Sequence, residues 1–266
     1  LLGLELTDKD VETELDRLMF PYELTKGTFK VTIPTRRLDI DPNVNDIAEE
    51  IGRLYGYENL ESTLPRVPVR RGRYIGDVGI RKETSRRLRE LGLTETKTYT
   101  LTSPEMAKTF KYEDKKPVVL PNPMSSDKSI VRTTILPSLI NVYEYNKARK
   151  VENINIYEIA KTYDSEYNED SKIAILMKGA YTINNWQHTT TKCDFYVLKG
   201  IIENLLDYLG FKNRYTFVSA EIPELHPGMS AKILLDREEI GIIGRVHPSY
   251  KKEEIYVSEI SLTKLY

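Results

Sequence analysis

The segment from Leu60 to Asp77, LESTLPRVPVRRGRYIGD, restricts the fold of this chain more than any other. It holds two prolines, two glycines and four arginines, and no apolar period runs through it. Proline fixes φ and lacks a backbone donor, while glycine weakens helix and strand alike, so no regular element is expected to pass through. The chain must then fold as a small part ahead of this stretch and a larger part behind it, with domains expected at 1–68 and 69–266.

Ahead of the linker, Thr7-Asp-Lys-Asp10 has the pattern of a capping box, with Asp in the place of Glu, and Val11, Leu15 and Leu18 recur at helical spacing. A helix is expected from Asp8 to Met19. Phe29 to Ile33 alternates as a strand should, and Pro34 stops it. A second helix is expected behind Asn45 as cap, with Ile47, Ile51, Leu54 and Tyr55 on one face and Gly56 at its end. The small domain thus reads helix, strand, helix.

Behind the linker, a helix is expected from Val78 to Leu91, with Ile80, Leu88 and Leu91 on one side and Gly92 as its cap. Two more are expected, one starting near Thr134 and one from Phe195 to Leu209. The strand candidates are Thr96 to Leu101, Pro117 to Leu120, Ile154 to Tyr163, Lys172 to Thr182, Tyr215 to Ser219, Ala231 to Leu235, Ile240 to Val246 and Ile255 to Ile260. Most are rich in Val, Ile, Tyr and Thr. Strands outnumber helices and several follow each other directly, which predicts an α+β domain with a mostly antiparallel sheet.

With 40% apolar and 30% charged residues, the chain can bury a sizeable core. No apolar run approaches the ~20 residues that cross a bilayer, and LLGLELTDKD lacks the features of a signal peptide, so a cytoplasmic protein with no membrane partner is expected. One cysteine and three histidines exclude an internal disulfide and an N/S-ligated zinc site. A net charge of -1 argues against a uniformly basic nucleic-acid binder. A local basic run does exist, from Arg66, Arg70, Arg71 and Arg73 through Arg81, Lys82, Arg86, Arg87 and Arg89. It could contact RNA phosphates or form a solvated helix face, and a nucleic-acid-binding module using residues 66–89 is the alternative function.

The densest candidate site is acidic: Asp39, Asp41, Asp46, Glu49 and Glu50. Helical spacing places Asp46 on the side of Glu49 and Glu50. Converging carboxylates suit a hard cation such as magnesium, while acidic residues in a first helical turn are also what the helix dipole favours. Among other reactive residues, His226 and His247 each precede a proline, a context of turns and strand ends. Cys193 has no nucleophile signature, and Trp186 reads as a packing anchor.

Arg37-Leu38-Asp39-Ile40, Asp46-Ile-Ala-Glu49-Glu50-Ile51, Arg53-Leu-Tyr-Gly-Tyr-Glu-Asn59 and Thr63-Leu-Pro65 resemble, in order, the fifth domain of the bacterial phenylalanyl-tRNA synthetase beta chain. The resemblance continues through Leu120-Pro-Asn-Pro-Met-Ser125, Arg132 with Leu136-Pro-Ser-Leu139, Tyr157-Glu158-Ile159, Asp194-Phe-Tyr196 with Leu198-Lys-Gly200, and Leu225-His-Pro-Gly-Met-Ser-Ala231, similar to that chain's catalytic-like module. It implies a non-catalytic part with a class II synthetase-like fold, excised from a longer chain. The implied partners are the catalytic alpha subunit, tRNA in the full assembly, and an assembly of two alpha and two beta chains.

The resemblance also implies a magnesium ion held by Asp39, Asp46, Glu49 and Glu50. The spacing from Asp39 to Asp46 is one residue longer than the family's, which leaves Asp41, or a bulged loop, as the alternative for the first ligand.

A working class II site needs arginines, because a guanidinium binds phosphate with two hydrogen bonds. The strand Asn153 to Tyr163, NINIYEIAKTY, offers Glu158 and no arginine, and Gly241-Ile-Ile-Gly-Arg245 is followed by His247-Pro248 rather than by a helix. No catalytic residue is expected in this chain, and no ATP bound in the catalytic manner.

Overall fold

The computed structural model describes residues 1–266 and divides into two compact units, Leu1–Arg71 and Gly72–Tyr266.

In the first unit, α1 (Asp8–Arg17) starts in a true capping box: the Asp10 amide donates to the Thr7 hydroxyl, and Thr7 N donates to the Asp10 carboxylate at 2.8 Å. An unexpected strand follows, so the order is helix, hairpin, helix. β1 (Tyr22–Thr25) pairs antiparallel with β2 (Thr28–Val31), Tyr22 opposite Val31. Lys26 and Gly27 between them take positive φ, 51° and 75°, the two-residue turn whose twist suits a hairpin. β1 has a weak signal in the sequence because YELT is only four residues long and, Tyr22 apart, exposed. The cap of α2 (Val44–Tyr55) is Asn43 rather than Asn45; its side-chain oxygen accepts from Asn45 N and Asp46 N. Leu15, Leu18, Phe20 and Ile51 form the core of this unit, with Val11, Ile47 and Leu54 around them.

The second unit begins with α3 (Gly76–Glu90) and three short strands, β3 (Thr94–Glu95), β4 (Leu101–Thr102) and β5 (Ile130–Val131). α4 (Leu136–Lys147) and the long strands β6 (Ile154–Tyr163) and β7 (Glu169–Lys178) come next, then the hairpin β8 (Ala180–Asn184) and β9 (Thr189–Lys192), and α5 (Phe195–Tyr208). β10 (Tyr215–Ser219), β11 (Leu225–Leu235), β12 (Glu238–Val246) and β13 (Tyr256–Ser261) complete it. One seven-stranded sheet dominates, in the order β10-β11-β12-β13-β7-β6-β3, and every pairing is antiparallel except β3 with β6. The expected α+β class with a mostly antiparallel sheet is therefore what forms.

Period-two alternation gives the sheet two buried faces. Ile173, Ile175 and Met177 of β7 point into one core with Leu88 of α3 and Leu198, Ile201, Ile202 and Leu205 of α5. Ala174 and Leu176 point into the other, with Leu136, Leu139, Ile140 and Tyr143 of α4. The expected strand Lys172 to Thr182 is broken in two at Gly179. That residue sits at φ 89°, and a Cβ there would lie 2.6 Å from the Glu152 carbonyl, so only glycine fits the bend. Pro117 to Leu120 forms no strand and contributes a single bridge, Val119 to Ile130.

Candidate functional site

The acidic segment of the first unit is organised around an arginine. The Arg37 guanidinium donates to Asp39 from Nε and Nη2, at 2.9 and 2.7 Å, and to Glu50 Oε2 from Nη1 at 2.9 Å; Arg53 reaches the same Glu50 oxygen at 2.8 Å. The hydrogen bond from Arg37 holds the Asp39 carboxyl down at about 2, and hydrogen bonds from Arg37 and then Arg53 hold Glu50 at about 2. Both groups stay ionised through the physiological range, with their counter-charge supplied inside the chain.

Asp46 lies elsewhere. One of its oxygens accepts from the Asp41 amide at 2.9 Å, which folds the extra residue of the loop back onto the helix start. Glu49 is exposed, and neither Glu49 nor Asp46 takes part in an ion pair. Oxygen donors are what magnesium prefers, yet no three Asp, Glu, His or Cys side chains anywhere in the chain come together to hold a metal ion. As placed, the four carboxylates do not make a magnesium cage by themselves.

In the second unit, Glu158 stands on β6 as the sequence places it, but its partner comes from 26 residues earlier. Arg132 Nη2 meets Glu158 Oε1 at 3.0 Å, and both side chains are only 3% exposed. Thr98 closes the knot: its amide and hydroxyl donate to the two Glu158 oxygens at 3.2 and 2.7 Å, and its hydroxyl accepts from Arg132 Nη1 at 2.7 Å. This arginine is spent inside the protein and cannot be offered to a phosphate. Arg245 is held at the end of β12 by Glu254, 3.3 Å away, and the chain then turns at His247-Pro248.

A groove of about 710 Å³ runs beside α4, lined by Tyr99, Met106, Lys128, Val142 and Tyr145 among others. Its lining contains no arginine, and the Lys128 ammonium sits 3.0 Å from the centre of the Tyr99 ring.

A second buried knot has no counterpart in the sequence reading. Lys172, 1% exposed, donates to Glu259 Oε2 at 3.2 Å, to Glu113 at 2.5 Å and to the Tyr112 hydroxyl at 2.9 Å. The other Glu259 oxygen accepts from Ile135 N and the Thr134 hydroxyl, and Tyr112 also donates to Glu259. These groups come from four separate segments, so no local spacing announces them.

Of the other residues singled out, one departs from expectation and the rest do not. Trp186 is not a packing anchor: it stands at the tip of the β8–β9 hairpin, 92% exposed, because the residues of this hairpin pack little against the core. His226 and His247 lie with ring centres 6.1 Å apart, but each accepts through Nδ1 an amide of its own turn, from Gly228 and Ser249 respectively. The Cys193 thiol is buried and pushed up to about 11, chiefly by desolvation, which makes it inert. Ile80, Leu88 and Leu91 of α3 pack into this chain's own core.

The comparisons with known proteins agree with this architecture. A family model described as the phenylalanyl tRNA synthetase beta chain CLM domain matches residues 60–262, and one described as the tRNA synthetase B5 domain matches residues 1–57. The chain belongs to the phenylalanyl-tRNA synthetase beta-chain family. It is 37% identical over 274 residues to the phenylalanine–tRNA ligase beta subunit of Geobacillus kaustophilus and 38% identical over 275 residues to that of Listeria innocua; each alignment covers 100% of this chain and 34% of the relative. The chain thus spans about a third of the length of these relatives.

Among solved structures, it resembles the pyrrolysyl tRNA synthetase of Desulfitobacterium hafniense with a TM-score of 0.52 at 14% identity, covering 70% of this chain and 66% of that one. That likeness places the large sheet of this family member in the class II synthetase fold. No helix of the chain is long and apolar enough to cross a membrane.

Proposed function

We propose that this chain is the part of a phenylalanyl-tRNA synthetase beta subunit that supports a catalytic alpha subunit while tRNA is charged with phenylalanine at the expense of ATP, and that it performs none of the chemistry itself. The observation that carries this reading is the closure of Glu158 by Arg132 inside a class II-like sheet. Charge stabilisation of a transferring phosphoryl or adenylate group needs free, oriented guanidinium groups, and here the arginine is consumed by a carboxylate. The assembly is taken to hold two alpha and two beta chains in the cytoplasm, with tRNA bound to the whole.

Co-expressed with the alpha subunit, the chain should copurify with it, and alone it should catalyse no phenylalanine-dependent pyrophosphate exchange. Exchange by the pure chain would refute the non-catalytic reading, and failure to associate would refute the supporting one.

Magnesium belongs to this proposal as an ion completed at a subunit boundary. Asp46 and Glu49, the two carboxylates without a cationic partner, would supply oxygens from this chain, while Asp39 and Glu50 stay with Arg37. Magnesium chloride titrated into the chain alone should give no saturable heat. The complex with the alpha subunit should bind it, less well when Asp46→Asn and Glu49→Gln are combined; saturable binding by the chain alone would contradict the boundary site.

A further inference from the structure

The basic run of residues 66–89 falls into two chemically different parts. On α3, Arg86, Arg87 and Arg89 are occupied: Arg86 pairs with Glu83 and Glu90 and touches the Tyr208 hydroxyl, Arg87 pairs with Glu90 and donates to Asn204, and Arg89 pairs with Glu95, whereas Arg81 makes no ion pair and its Nε is buried without a partner. The first three tie α3 to α5 and to β3. Ahead of the helix, Arg66, Arg70, Arg71 and Arg73 are exposed and make no ion pair or side-chain hydrogen bond. No carboxylate stands between Glu61 and Asp77 to neutralise them. The segment belongs to no helix or sheet, and Pro65 and Pro68 favour extended backbone at the residues before them.

We propose that Arg66–Tyr74 is a strip that binds the phosphate backbone of RNA, and that Arg86, Arg87 and Arg89 are not part of it. Four positive charges without a negative one lie within eight residues, a stretch that can reach at most roughly 23 Å when fully extended at about 3.3 Å per residue, a run of charge suited to a linear polyanion rather than to a single anion. Guanidinium groups free of internal partners can each give a phosphate two parallel hydrogen bonds. The Tyr74 ring, 65% exposed, offers a face on which a base can stack. Nothing in the segment is arranged to read base edges, so binding is tolerant of sequence. The choice of RNA over other polyanions rests on the function proposed above.

The test is fluorescence anisotropy of the chain with a labelled uridine dodecamer across a salt series. If four phosphates are neutralised, the logarithm of affinity should fall against the logarithm of salt with a slope of about -2.8. Combining Arg66→Gln, Arg70→Gln, Arg71→Gln and Arg73→Gln should weaken binding by roughly 100-fold at low salt and flatten the slope. It should leave thermal unfolding unchanged, since these side chains hold nothing in the fold.

Arg86→Gln with Arg87→Gln and Arg89→Gln should leave RNA binding as it was. Absence of binding by the parent chain, or parent-like binding by the fourfold variant, overturns the proposal. Equal competition by polyglutamate at matched charge also overturns it, and points to an acidic protein surface instead. Loss of association with the alpha subunit while RNA binding persists would sink the proposed function and leave the strip standing; the reverse outcome would do the opposite.

Discussion

Arg132→Met should destabilise the larger unit by about 3 to 5 kcal/mol, the usual cost of removing one partner of a buried ion pair. Glu158 would keep only the two Thr98 donors in a place from which water is excluded, and Arg132 accounts for its charge. For a unit of this size the loss corresponds to a fall of roughly 6 to 20 °C in Tm. Arg132→Met combined with Glu158→Leu removes both charges together and should recover more than half of the loss, because a buried ion pair gains little over apolar residues of similar volume. Urea unfolding followed by circular dichroism separates these outcomes. A double variant as unstable as Arg132→Met would show that packing, and not charge, sets the cost.

Lys172→Met should cost a similar amount, about 3 to 5 kcal/mol near neutral pH, since Glu259 is fully buried and loses its one cationic partner. The pH dependence of the parent carries the signature of the knot. Burial disfavours the Lys172 ammonium, but the charges of Glu259 and Glu113 and the hydrogen bond to Glu113 outweigh it and raise the group above the ordinary lysine range. Its contribution is complete below about pH 10.4 and is lost as pH rises through the raised value. Glu113 shows the opposite limb. Burial pushes it up, but Lys172 and then Lys115 outweigh that and hold it below the usual carboxylate range. Its contribution is present above about pH 4.3 and is lost as pH falls through the lowered value. The parent should therefore show a stability plateau between these limits that Lys172→Met lowers as a whole. Unfolding midpoints at acid, neutral and alkaline pH that differ equally little between parent and variant would show that the knot contributes nothing.

Where an element could be read from the sequence, its signal lay within a few residues. The Thr7–Asp10 box starts α1 as expected, and β6 and β10 run from Ile154 to Tyr163 and from Tyr215 to Ser219 with the bounds expected of segments rich in strand-forming residues. Where the signal was weak the reading failed. β1 is only four residues long and mostly solvent-facing, β9 (TTTK) is exposed and has no alternation, and the cap of α2 lies two residues ahead of the expected one because Asn43 and Asn45 carry the same side chain. In the candidate sites the local part was legible and the partner was not. Glu158 stood out on its strand while Arg132 did not stand out as its partner, and the acidic segment was visible while the place of Arg37 among its carboxylates was not.

The amino-acid sequence by itself determined the α+β class, the family and the absence of arginine from β6, all of which depend on composition, order or local spacing of residues. Only the tertiary structure decided which charges meet. Arg132 and Glu158 share a buried knot, Lys172 gathers Glu113 and Glu259, and Arg86, Arg87 and Arg89 are neutralised while Arg66, Arg70, Arg71 and Arg73 remain free. The physical reason is that an ion pair depends on distance in space, which strand register and helix packing set between segments far apart in the chain, whereas helix and strand periods are written into neighbouring residues.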